Sequence, residues 1–100
     1  MNHHETIAYH LEHMVQANQQ ARAAMFTGQQ EKVRALIEQV TEHCEALIPH
    51  MGIYAAFNLM YVVAFEPESA QQLIAFHRDG TIPVADKLYL DVVQGKELTV

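Results

Sequence analysis

The chain has 100 residues, half of them hydrophobic and 18% charged, which excludes a disordered or low-complexity segment and fits one domain. Six basic residues against 12 acidic ones give a net charge of −6. That balance speaks against broad binding to nucleic acid or to anionic lipid, both of which rely on clustered lysine and arginine.

Asn2 followed three residues later by Glu5 has the form of a capping box, with Asn in place of Ser or Thr. It predicts a first helix from about His3 to Phe26. Within it Ile7, Leu11, Met14, Asn18, Ala21 and Met25 step by 4, 3, 4, 3, 4, a heptad seam suited to packing on another helix. Asn18 lies in the seam. There an amide either fixes register and partner number or answers a water or a backbone carbonyl.

Thr27-Gly28-Gln29-Gln30 interrupts the pattern. Gly28 is suited to a left-handed C′ position, and Thr27 with Gln30 to capping the next helix. That second helix is expected from about Gln29 to Ile48. Its apolar stripe is Val33, Leu36, Ile37, Val40, Cys44, Leu47 and Ile48, and Arg34 and Glu38 on the polar side are spaced to pair. A turn this short implies an antiparallel helical hairpin.

Ala46 to Phe65 contains no Asp, Glu, Lys or Arg. Pro49 is suited to a first helical turn, and Pro67 ends the run while pushing Glu66 off helical angles. A third helix is therefore expected from about Pro49 to Phe65. Its length of roughly 25 Å falls short of the ~30 Å hydrocarbon core of a bilayer. Asn58 near its centre and the lack of flanking Lys or Arg also argue against a membrane span. The stretch reads as apolar all round, so other helices, a second copy or another protein must cover it. A hundred-residue body is small for that task alone.

Ser69 with Gln72 is a further capping-box candidate, and Ala70 to Arg78 reads as a short helix presenting Leu73, Ile74, Phe76 and His77. Asp79-Gly80 ends it, although the same pair also suits a hairpin turn. Pro83 to Val93 is expected to be a last helix, with a strand as the competing reading because Leu88 to Val92 alternates. The single helical domain then covers residues 1–94, and residues 95–100 form a tail.

Seven histidines are the most unusual feature of the composition. His3, His4, His10 and His13 crowd the first helix, His43 and His50 lie near the second joint, and His77 is in the fourth segment. No two are four apart and no Glu precedes a His by three, which removes the zincin and bundle di-iron motifs. His10 and His13 can share a face, but two ligands do not make a structural zinc site. The histidines do permit a response to mild acid. Cys44 is the only cysteine and lies beside Glu42 and Glu45, which favour the thiol over the thiolate. No nucleotide motif, serine elbow or catalytic constellation is present. The acidic second helix, with Glu31, Glu38, Glu42 and Glu45, is unsuited to reading DNA.

These features predict an all-α protein of four to five helices, an N-terminal hairpin plus an apolar central helix, that forms a homodimer. With no secretory signal at Met1 to Thr6 it is expected in the cytoplasm. It is expected to act by binding itself and another protein, as an adaptor or regulator, with no catalytic residues, metal or cofactor. The interface candidates are Ile53, Tyr54, Phe57, Met60 and Tyr61 of the apolar stretch, with Leu11, Met14 and Asn18 of the first seam. The competing reading is a bundle holding a small apolar ligand between the second and third helices, with His50, Tyr54, Asn58 and Tyr61 as its polar contacts.

Overall fold

A computed structural model describes residues 2–79, which form α1 (His3–Phe26), α2 (Gln30–Met51), α3 (Ile53–Phe65) and α4 (Pro67–Asp79), with no strand among them. The last helix expected from Pro83, the stop at Gly80, the domain limit at 94 and the tail lie outside the described residues.

α1 begins at the expected Asn2 cap, with the Glu5 carboxylate reaching back to the Asn2 side chain and not to its backbone N–H. The Asn2 side chain accepts from the Glu5 backbone N–H at 2.8 Å and donates to the Glu5 carboxylate at 2.8 Å. Its heptad seam turns inward. Ile7, Leu11, Met14 and Ala21 are buried within this one chain, and only Met25 at the far end stays exposed. α1 touches all three other helices.

The turn to α2 uses Gly28 at φ 71°, as its position predicts. Thr27 serves the helix behind it and not the one ahead. Its hydroxyl donates to the Ala24 carbonyl at 3.1 Å, and no side chain caps α2. The hairpin is antiparallel: Ala17 and Ala21 of α1 pack with Leu36 near the start of α2, while His10 meets His43 near its end. Ile37, expected in the apolar stripe, is half exposed instead. Among the described residues the ion pair is Arg78 with Glu12, joining α4 to α1, and not Arg34 with Glu38.

The second joint differs from expectation. Pro49 does not begin a helix; α2 runs through it to Met51. Its missing N–H leaves the Glu45 carbonyl without an intrahelical partner, and both residues are exposed, so water can serve that oxygen. The corner is made by Gly52, at φ 86° and ψ 160°, a region open essentially to glycine alone. α3 is consequently only 13 residues long. The third joint comes at Glu66, and α4 starts at once with Pro67 in its first turn, three residues ahead of the expected Ala70.

The core unites Ile7, Leu11 and Met14 of α1, Cys44 and Leu47 of α2, Ala56 and Leu59 of α3, and Ala70 and Leu73 of α4. Alanines at 55 and 56 let α3 approach α2 closely, and the Cys44 Sγ–H lies 3.3 Å from the Ala56 carbonyl oxygen.

Candidate functional site

α3 is not uniformly covered. Ala55, Ala56, Leu59, Val62 and Val63 form its buried arc. Ile53, Tyr54, Phe57, Asn58, Tyr61 and Phe65 form the opposite arc and face outward. All four aromatic residues of the helix lie on that outer arc, from 52% exposed at Phe57 to 84% at Tyr54. The Tyr61 and Phe65 rings touch, with centroids 5.0 Å apart. Met60 lies at the edge of the arc, half-buried and packed on the core. Phe65 was not among the expected residues. Its signal was its place four residues beyond Tyr61, on the same side.

The residues expected from α1 are placed differently. Leu11 and Met14 are fully buried at 0% exposure, enclosed by their own chain. Asn18 donates through Nδ2 to the Val63 carbonyl at 3.3 Å, which is the backbone-carbonyl role and not a register lock between chains. The reason is local. Pro67 has no N–H to offer Val63 four residues back, so that carbonyl is orphaned at the end of α3. One turn further along α1, the Arg22 guanidinium donates to the next carbonyl, that of Ala64. An amide and a cation from α1 thus finish α3, and the cation also answers the negative end of its dipole. A bond of the Asn18 kind is worth about 1 kcal/mol.

His50, Tyr54, Asn58 and Tyr61, expected to line a ligand site between α2 and α3, are all exposed. The seam between those helices is filled by Cys44, Leu47, Ala55, Ala56 and Leu59. Open depressions occur instead at the α1–α2 turn, lined by Met25, Gly28, Gln29, Gln30 and Val33 and by Arg22, Met25 and Phe26.

The histidines, scattered in sequence, gather along the N-terminal half of α1. His10 and His43 meet Nδ1 to Nδ1 at 2.8 Å, and His13 stacks on His43 with centroids 5.1 Å apart and planes 15° from parallel. Tyr9 packs against His13 at 4.4 Å. On the other flank His4 and His77 meet Nδ1 to Nδ1 at 3.0 Å, and His3 lies 5.7 Å from both His4 and His50. Burial holds His10 and His43 below the usual imidazole pKa, helped at His10 by His43, His50 and His13 and at His43 by His13, while Glu42 opposes it at His43. His77, only 3% exposed, is lowered furthest, to about 4, by burial first and then by His4 and His3. The cross-helix partners were missed because tests for spacings of three and four do not see the intervals of seven, His3 to His10 and His43 to His50, that align histidines on each helix.

Burial raises the Cys44 thiol pKa, and Glu45 adds to it, so the sulfur behaves as a small apolar group. Among the described residues no group of three or more His, Cys, Asp or Glu side chains is arranged to hold a metal ion, and no helix is long and apolar enough to cross a membrane. Comparison with protein-family models, curated proteins and solved structures finds no match.

Proposed function

We propose that this protein acts by binding and not by turnover, as a small helical adaptor or regulator that self-associates through the outer arc of α3. One observation carries the reading: a continuous uncharged arc holding Ile53, Tyr54, Phe57, Tyr61 and Phe65 stays exposed after the chain has built its own core. Large contiguous apolar patches on a folded chain mark interaction sites, and aromatic residues are enriched at the centres of such interfaces. The occupant is a second copy. α3 carries no Asp, Glu, Lys or Arg, so it is a face on which two chains of net charge −6 approach without opposing like charges at the contact. A two-fold arrangement matches the arc to itself. Tyr54, Tyr61 and Asn58 supply polar tips for its edge.

Light scattering on the purified protein at tens of micromolar tests this. A dimer mass is expected, and Phe57→Asp with Tyr61→Asp is expected to return the chain to a monomer with its helical circular dichroism intact. Each substitution is present on both chains, so losses of about 2 kcal/mol at each of the two positions weaken association by at least roughly a thousandfold. A wild-type monomer, or a dimer indifferent to both aspartates, would sink the proposal.

A further inference from the structure

Every histidine of this chain lies at or beside one seam, where the N-terminal half of α1 meets α2 on one flank and α4 on the other. The opposite end of α1 is held by chemistry that does not titrate near neutrality, the Asn18 amide and the Arg22 guanidinium on the α3 carbonyls. From this arrangement we infer that the protein contains an acid-operated release: mild acidification frees the N-terminal half of α1 from α2 and α4 while its C-terminal half stays clamped to α3. The inference stands apart from the self-association reading and uses none of its residues.

The bonding pattern explains why. In each Nδ1–Nδ1 contact one nitrogen carries a hydrogen and the other must be bare to accept it. A first proton can be accommodated, because an imidazolium still donates to a neutral ring. A second removes the acceptor and sets two cations in contact. Around the His10–His43 pair the nearby groups are His13 and Tyr9 from α1 and His50 and Glu42 from α2. Glu42 favours the charged form at His43, and Glu12 of α1 lies within electrostatic reach of His13. Among the described residues, those around His77 include His3 and His4 from α1 and Phe76 and Arg78 from its own helix, with Arg78 paired to Glu12 of α1. α3 contributes no His, Asp, Glu, Lys or Arg.

His77 lies in the last turn of α4, where the dipole favours a cation and so opposes its burial. At His77 and His10 burial and neighbouring histidines work together against protonation. A released segment titrates near the ordinary histidine value of 6.5. In the closed seam His10, His43 and His77 bind their protons only at lower pH. Closing therefore expels protons, and opening is favoured as pH falls below about 6.5. Opening also uncovers Ile7, Leu11 and Met14, which are fully buried at neutral pH.

Hydrogen exchange read by mass spectrometry at pH 7.5 and 5, corrected for intrinsic rates, tests the release. Protection of residues 3–15 is expected to fall more than about tenfold while that of residues 17–26 holds. The variant carrying His10→Gln, His43→Gln, His4→Gln and His77→Gln retains amide donors and acceptors but does not titrate, and it is expected to lose the difference. A fall spread evenly over all four helices, or one that persists in the variant, overturns the inference. If the variant does not fold at pH 7.5, the histidine ring resonances of the wild-type chain decide instead. His10, His43 and His77 titrating at or above 6.5 would be equally fatal.

Discussion

Leu59→Ala lowers the unfolding free energy by about 3 kcal/mol, within the span of roughly 2–5 for large-to-small changes at closed sites. Leu59 is at 0% exposure among the side chains that join all four helices, so the cavity cannot be filled from solvent. Phe57→Ala, two residues away on the same helix, removes a larger side chain yet is expected to change stability by less than about 1 kcal/mol, because that ring already faces water. Urea unfolding, at a concentration low enough to keep the chain monomeric, checks both. Equal losses at the two positions would mean that α3 is covered on both sides and that the exposed arc does not exist. As the domain's total stability is of order 5–15 kcal/mol, the Leu59 loss is large enough to read without ambiguity.

The second large effect is expected at Gly52. Its backbone, at φ 86° and ψ 160°, lies where an L side chain is strained whatever space surrounds it, and the space here is open, with nothing within 4 Å of an added Cβ. Gly52→Ala is therefore a test of backbone strain alone, expected to destabilise by about 1–3 kcal/mol. Gly28→Ala, at φ 71° in the commoner left-handed region and equally open, is expected to lose less. Thermal melts of the two variants compared side by side check the order. If Gly52→Ala is neutral, the chain is not turning at that residue.

The same glycine shows where the sequence could be read and where it could not. α1 was legible to the residue, because Asn2 and Glu5 announce its start and Gly28 its end. The corner between α2 and α3 was not, because two residues compete to make it. Pro49 carries the familiar signal for a helix start, but a proline also sits near a helix end when the carbonyl it deprives faces water. Gly52 carries no neighbouring signal of its own. The candidate surface was half legible. Hydropathy makes α3 apolar all round, yet size and aromaticity divide it cleanly: alanine, leucine and valine pack inward, while Tyr54, Phe57, Tyr61 and Phe65 do not. Leu11 and Met14 were misplaced because a heptad seam reports that a helix has a partner and not whether that partner belongs to the same chain.

The contact of His4 with His77 spans 73 positions of the chain, whereas α1 and α2 are joined by a turn of three residues, 27–29. Loop closure makes distant contacts slower to form than adjacent ones. The α1–α2 hairpin can therefore serve as the folding nucleus, with α4 arriving afterwards to seat against it. Destabilising substitutions at Leu36 or Ala21 should then slow refolding, while those at Leu73 or Phe76 should chiefly hasten unfolding; the reverse pattern in stopped-flow kinetics would place the nucleus at the other end of the molecule.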